Sequence, residues 1–422
     1  MHVVILAEFA VASGGAEKVA VESARGLAEA GIGVTYLQAI DGPADPLLDH
    51  PHIARRCLGL ADIWSRPAWQ GAATGIWHAQ AARRLEAALD ALPVRPDCIH
   101  LHQWTRALSP SVMQVLFARG VPVALTLHEY FLACPNGLHY RFDRSEPCAL
   151  KPMSGACIAA ACDPQSRLHK AVRLARTAAM RKALAGGRLD VIHVSDASRA
   201  RMGAMLAGLP LTHHRLDNPV RVAQALPADP AAGDAIVYVG RLTREKGADL
   251  VAEAARSAGM PALFVGAGPL ESTLRDRNGI ELLGWRSPAE VERLLRERAR
   301  AVCAPSRWFE TGPLTVYEAL AQGIPVVASA RAGAAEKVAD GLSGFVVEPS
   351  ADALANALRR LADDDLARRM GRAAHERYWS APLSMAAHAQ ALIGVYRDML
   401  RGRERRENSS APAELTLRIA AR

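Results

Sequence analysis

Short apolar runs, each followed by a polar turn and then a longer amphipathic stretch, recur along this chain in two series. The first contains Val3 to Ala7, Val34 to Leu37, Asp97 to Leu101, Pro122 to Leu127 and Leu189 to Val194; the second opens with Ile236 to Val239 and includes Ala301 to Ala304. Strands that alternate with helices pair in parallel, because a crossover helix returns the chain to the starting edge of the sheet. The pattern therefore predicts an α/β protein with two open parallel sheets, each covered by helices on both faces. Between the series lie Asp217-Asn218-Pro219-Val220 and an Ala-, Pro-, Asp- and Gly-rich run to Gly233, which marks a domain boundary. The 422 residues suffice for two cores. The expected division is 1–217 for the first domain, 218–378 for the second, a last helix within 379–400, and a disordered tail over 401–422, where Ser, Asn, Pro and Arg accumulate.

Ligands of such sheets collect beyond the carboxyl ends of the strands, so the turns there carry the chemistry. The richest runs from Ala299 to Ser329: a buried strand, a polar loop, a short helix and a second apolar strand. Gly312 suits the N-cap, Pro313 the first helical position and Gly323 the stop. The N–H groups of Leu314 and Thr315 would then face outward with the positive end of the helix dipole, an arrangement that binds phosphate. Glu310 precedes this helix and Glu318 lies inside it, one acid for each end of a phosphate ester. A second turn reads Gly240-Arg241-Leu242-Thr243-Arg244-Glu245-Lys246-Gly247, from which Arg241 and Lys246 can converge on a diphosphate or form an ion-pair cluster with Glu245. Gly14-Gly15, after the first strand, permits close backbone approach to a phosphate or sugar, or simply a tight turn. His128-Glu129, Gly266-Ala267-Gly268 and Gly284-Trp285 stand at further strand ends, and Trp285 either lines a base pocket or covers the sheet edge.

A net charge of +8 favours anionic partners, but no stripe of basic and aromatic residues marks a nucleic-acid surface. No apolar run is long enough to span a bilayer, and the start lacks a basic leader, so a cytoplasmic protein is expected. Seven cysteines, an odd number, fit a reducing compartment. Four of them, Cys134, Cys148, Cys157 and Cys162, are close enough in sequence for a structural zinc site, although only the last two approach zinc spacing; the alternative is four separate thiols. Between Pro164 and Leu189 there are seven basic residues and no acid, with Leu168, Val172, Ala175 and Ala179 at helical spacing. Such a helix rests on the anionic inner face of a membrane or packs on the sheet; its small apolar side without an aromatic anchor favours packing. Residues 60 to 95 read as Ala-, Trp- and Arg-rich helix with no assigned chemistry.

The phrase Glu310-TGPLTVY-Glu318-ALAQ-Gly323-Ile324-Pro325 resembles the signature of the retaining glycosyltransferases of family 4, two glutamates separated by seven residues and followed by Gly-x-Pro. Gly240-Arg241-Leu242 with Glu245-Lys246-Gly247, and Thr126-Leu127-His128-Glu129-Tyr130, resemble two further segments of that family. The resemblance implies the GT-B fold, two Rossmann-like domains facing across a cleft, with the helix Pro382 to Leu400 crossing back to the first domain. It implies sugar transfer from a nucleotide-diphosphate donor to a hydroxyl of a glycan or lipid-linked acceptor, in polysaccharide or lipopolysaccharide assembly, with no catalytic cofactor. Carried over by position, Arg241, Lys246, Gly15 and Gly312 to Thr315 would hold the diphosphate, Glu318, Gly266, Gly284 and Trp285 the nucleoside, and Glu310 and His128 would act at the transferred sugar. The family commonly places an aromatic residue and then glycine two and three positions after the first glutamate; here Gly312 and Pro313 stand there. A sugar-nucleotide epimerase of the same architecture, or a non-catalytic sugar-nucleotide-binding protein, would share the diphosphate site.

Overall fold

The structure is a computed structural model; it describes residues 1–12 and 14–410, the last five as backbone only. The first lobe holds β1 (His2–Ala7), β2 (Gly33–Ile40), β3 (Ile53–Leu60), β4 (Cys98–Leu101) and β5 (Val123–Leu127), followed by a small hairpin of β6 (Tyr140–Arg141) and β7 (Glu146–Pro147), then β8 (Leu189–His193) and β9 (Leu211–Arg215). Apart from the hairpin, these strands form one parallel sheet in the order β3-β2-β1-β4-β5-β8-β9. The second lobe is a six-stranded parallel sheet of β10 (Ala235–Val239), β11 (Ala262–Val265), β12 (Ile280–Gly284), β13 (Ala299–Ala304), β14 (Val326–Ser329) and β15 (Gly344–Val347), in the order β12-β11-β10-β13-β14-β15. These are two Rossmann-like domains. Central strands are apolar at successive positions because helices cover both faces: Val3, Val4, Ile5 and Leu6 are all fully buried.

In each sheet the strand order reverses once, between β1 and β4 in the first and between β10 and β13 in the second. Helices leave to opposite faces at such a point and open a crevice at the carboxyl ends, which fixes where a ligand can enter. The loops after β1, β10 and β13 therefore meet one another.

The last helix, Met385–Ser410, packs against the helix Gly15–Glu29 and buries Leu392, Ile393, Tyr396 and Met399 in the core of the first lobe. Gly26 allows this crossing, since a Cβ there would stand 2.9 Å from the Met385 carbonyl oxygen. Ser23 Oγ and His388 Nε2 lie 2.9 Å apart, and His100 Nδ1 and Tyr396 Oη 2.7 Å apart. This helix runs on through 401–410, where a disordered tail was expected; residues 411–422 of that expected tail lie outside the described residues.

The basic segment is the helix Arg167–Leu184, but its inner face is not the one its alanines suggested. Lys170, Arg176, Thr177, Met180 and Leu184 are buried, whereas Leu168 is 74% exposed. Two cations can face inward because each has a partner. The Lys170 ammonium donates to the carbonyls of Cys157 and Ala160, and the Arg176 guanidinium lies 4.5 Å from the ring centre of Phe131 and 5.5 Å from that of Trp104.

Candidate active site

Strand β13 ends at Ala304 and the loop beyond it leads into the helix Leu314–Ala321, capped by Pro313. The cap thus falls one residue later than expected: Gly312 precedes it and Pro313 lies outside the helix. Pro313 has no N–H to offer, so the open donors at this end begin with Leu314 and Thr315. Glu310, only 9% exposed, receives the Lys246 ammonium on one carboxylate oxygen and the Ser306 hydroxyl on the other. Lys246 also stands 5.3 Å over the Trp308 ring. Arg241 reaches Glu245 at only 3.8 Å, and its guanidinium remains largely exposed at the cavity.

From the opposite lobe, the helix Gly15–Glu29 points its N-terminus at the same space. Gly14 caps it without a side-chain hydrogen bond, and a Cβ on Gly15 would meet nothing within 4 Å. One turn into this helix, Lys18 donates to Glu318 at 2.7 Å, an ion pair that spans the two lobes. Thr311 Oγ1 donates to the His128 carbonyl oxygen at 2.8 Å and forms a second bridge. A third comes from Glu336, which accepts from Asp196 N at 3.0 Å and pairs with Arg215.

His128 Nε2 lies 3.2 Å from His102 Nδ1, and burial pulls the His128 imidazole down to about 3. It is therefore a neutral hydrogen-bonding group at physiological pH. Glu129 does not pair with it: burial pushes that carboxyl up to about 8, with the Arg176 guanidinium opposing the shift. A protonated carboxyl can donate a hydrogen bond to a hydroxyl.

Gly15, Lys18, His128 and Glu129 from one lobe and Arg241, Lys246, Trp285, Glu310, Glu318 and the turn Gly312 to Thr315 from the other line a single cavity of about 460 Å³. Gly266 and Gly284 do not line it. The Gly266 N–H donates to the Gly284 carbonyl oxygen at 2.8 Å, and a Cβ on Gly266 would fall 2.0 Å from the Gly240 carbonyl oxygen, so these glycines seat the strand ends that carry Arg241 and Trp285. Sequence reasoning missed Lys18 and Ser306. Lys18 had a readable signal, since three residues beyond Gly15 is the same helix face.

Cys134, Cys148, Cys157 and Cys162 are buried free thiols around the hairpin. The Cys134 thiol donates to Asn136 Oδ1 at 3.2 Å, while Cys162 Sγ accepts from the Lys170 ammonium at 3.3 Å. Among the described residues no group of three or more His, Cys, Asp or Glu side chains is arranged to hold a metal ion, so the geometry gives the zinc expectation no support.

Two family models match the chain: Glycosyltransferase Family 4 over residues 13–163 and Glycosyl transferases group 1 over 229–377. A D-inositol 3-phosphate glycosyltransferase of Frankia alni is 29% identical over 273 residues, 60% of this chain and 61% of that protein. The chain thus spans about three-fifths of the length of that curated relative. Sucrose-phosphate synthase from Thermosynechococcus elongatus superposes with a TM-score of 0.71 over 95% of this chain and 99% of its own, at 20% identity. Anabaena HepE in complex with UDP-glucose does so at 0.64 over 94% and 100%, at 17% identity. These structures share the GT-B arrangement of two facing domains. With both halves matched by the models and both glutamates, Arg241 and Lys246 drawn to one cleft, the chain belongs to glycosyltransferase family 4.

Proposed function

We propose that this protein transfers a sugar, with retention, from a nucleoside-diphosphate sugar to a hydroxyl of a glycan or lipid-linked acceptor, in the assembly of a polysaccharide or lipopolysaccharide. The observation that carries this reading is the convergence of Arg241, Lys246 and the N-terminus of the helix Leu314–Ala321 on the cavity that also holds Glu310 and Glu318. Fixed positive charge of this kind stabilises a departing diphosphate, the role that a metal ion fills in other designs. The complex of HepE with UDP-glucose supports the donor class.

In the proposed reaction the diphosphate lies between Arg241, Lys246 and the N–H groups of Leu314 and Thr315. Glu318 accepts the ribose hydroxyls. Glu310 faces the transferred sugar and stabilises the positive charge that develops on its ring, while neutral His128 hydrogen-bonds a sugar hydroxyl. The bond from the anomeric carbon to the phosphate oxygen breaks, the bond to the acceptor oxygen forms on the same face, and the acceptor proton passes to the leaving phosphate oxygen. The acceptor enters past Gly15 and Glu129.

A panel of nucleotide sugars, read by thermal shift and by donor hydrolysis, tests the assignment: one donor should stabilise the protein and turn over. Equilibration of the sugar without an acceptor would indicate an epimerase instead. Glu310→Gln should lower transfer by about 10²–10³-fold with an unchanged melting curve, the scale of losing one transition-state electrostatic contact. Retained full activity would remove Glu310 from the mechanism.

A further inference from the structure

The basic helix Arg167–Leu184 has a neighbour that its own sequence does not announce. The short 3-10 turn Ile63–Ser65 and the helix Ala68–Ile76 pack on each other, and the latter packs on the basic helix. Trp64 is 52% exposed and its ring stacks at 6.2 Å and 23° against His169, next to the outward-facing Leu168. Trp69 is 72% exposed. The aromatic anchor that the basic segment lacks is thus supplied by a stretch about a hundred residues earlier in the chain.

We propose that this face, built from residues 63–69 and the outer side of the helix Arg167–Leu184, docks the protein on an anionic lipid bilayer. Charge selects this occupant. Neither 63–85 nor 164–189 contains an acidic residue, and Arg66, Arg167 and Lys182 have no acidic partner among the described residues. Unpaired cations beside exposed tryptophan and leucine match phosphate headgroups above acyl chains, where tryptophan partitions to the interface and each cation adds attraction to anionic lipid. A second copy of the chain would oppose like charges across such a face. No helix among the described residues is long and apolar enough to cross a membrane, so the contact is a surface one. The inference goes beyond the transfer reaction and stands or falls separately from it.

The test is flotation of the full chain with phosphatidylcholine vesicles, with and without phosphatidylglycerol. The protein should float only with the anionic vesicles, be released by high salt, and shift its tryptophan emission to the blue. The double variant Trp64→Ala/Trp69→Ala and the double variant Arg66→Glu/Arg167→Glu should each reduce the bound fraction by about five-fold or more, at unchanged melting temperature and unchanged donor hydrolysis. Equal binding to neutral vesicles, no binding at low ionic strength, binding insensitive to both double variants, or self-association through this face in light scattering would overturn the proposal.

Discussion

Glu310 and Glu318 each already carry a cation: Lys246 on the first, Lys18 from across the cleft on the second. The two pairs differ in what a donor would do to them. In the proposed complex Lys246 gains a better anion when the diphosphate arrives. Lys18 occupies the carboxylate that the proposed mechanism gives to the ribose hydroxyls, so in that complex its pair must loosen. A partly exposed pair of this kind contributes about 0.5–1 kcal/mol, and Lys18→Met should therefore tighten nucleoside-diphosphate binding by about two- to five-fold in calorimetry. Weaker binding would make Lys18 a phosphate ligand instead. Spacing made Glu310, Glu318, Arg241 and Lys246 legible in the sequence, because each lies next to a strand end or helix start. Lys18 was legible only as a neighbour of Gly15 on one helix face; its pairing with Glu318 was not, since an ion pair between residues 300 positions apart leaves no local pattern.

Elements hold these groups through a few close approaches. Gly333 is wedged at one of them: within its own lobe its N–H donates to the Glu310 carbonyl oxygen at 2.7 Å and a Cβ would fall 2.1 Å from Thr311 O, and across the cleft that Cβ would fall 2.3 Å from Ser195 Oγ. Gly333→Ala should force the lobes apart beside the loop that carries Glu310, cost about 1–3 kcal/mol and reduce transfer more than stability; thermal melting, small-angle scattering and a transfer assay would read these effects. Unchanged scattering and activity would show that the loop yields instead. Strands of the central sheets were visible as apolar runs, because burial on both faces leaves no polar alternation. Edge strand β9, LTHHR, was not, since its residues are half-buried and polar. The basic helix is legible as a helix, but its buried face is not the one its apolar spacing marks. Counting apolar residues cannot foresee a buried arginine whose charge is met by Phe131 and Trp104.

Across the whole molecule, buried titratable groups set the pH range of the fold. Burial holds His100, His128 and His193 at about 3 and His139 and His388 at about 4. These groups stabilise fully above their unfolded value near 6.5 and lose that contribution as pH falls toward 3–4. Burial raises Glu8 and Glu22 to about 7 and Glu129 to about 8; they stabilise below their unfolded value near 4.5 and lose it as pH rises toward 7–8. Between 4.5 and 6.5 the histidines outnumber the acids, so the unfolded chain binds more protons and stability climbs with pH. Above 6.5 only the acids still differ, and stability falls. Melting temperature against pH should therefore peak near 6.5, with a loss on the order of several kcal/mol by pH 4.5; a flat profile would contradict this burial pattern. Stabilisation of the diphosphate by fixed positive charge is read by one calorimetric comparison: the nucleoside and the nucleoside diphosphate of the donor that turns over in the panel, each titrated into the native chain and into Lys246→Met. The diphosphate should bind the native protein at least about tenfold more tightly than the nucleoside, and the variant should lose most of that difference while its nucleoside affinity holds. Equal diphosphate binding by the two proteins would contradict the assignment.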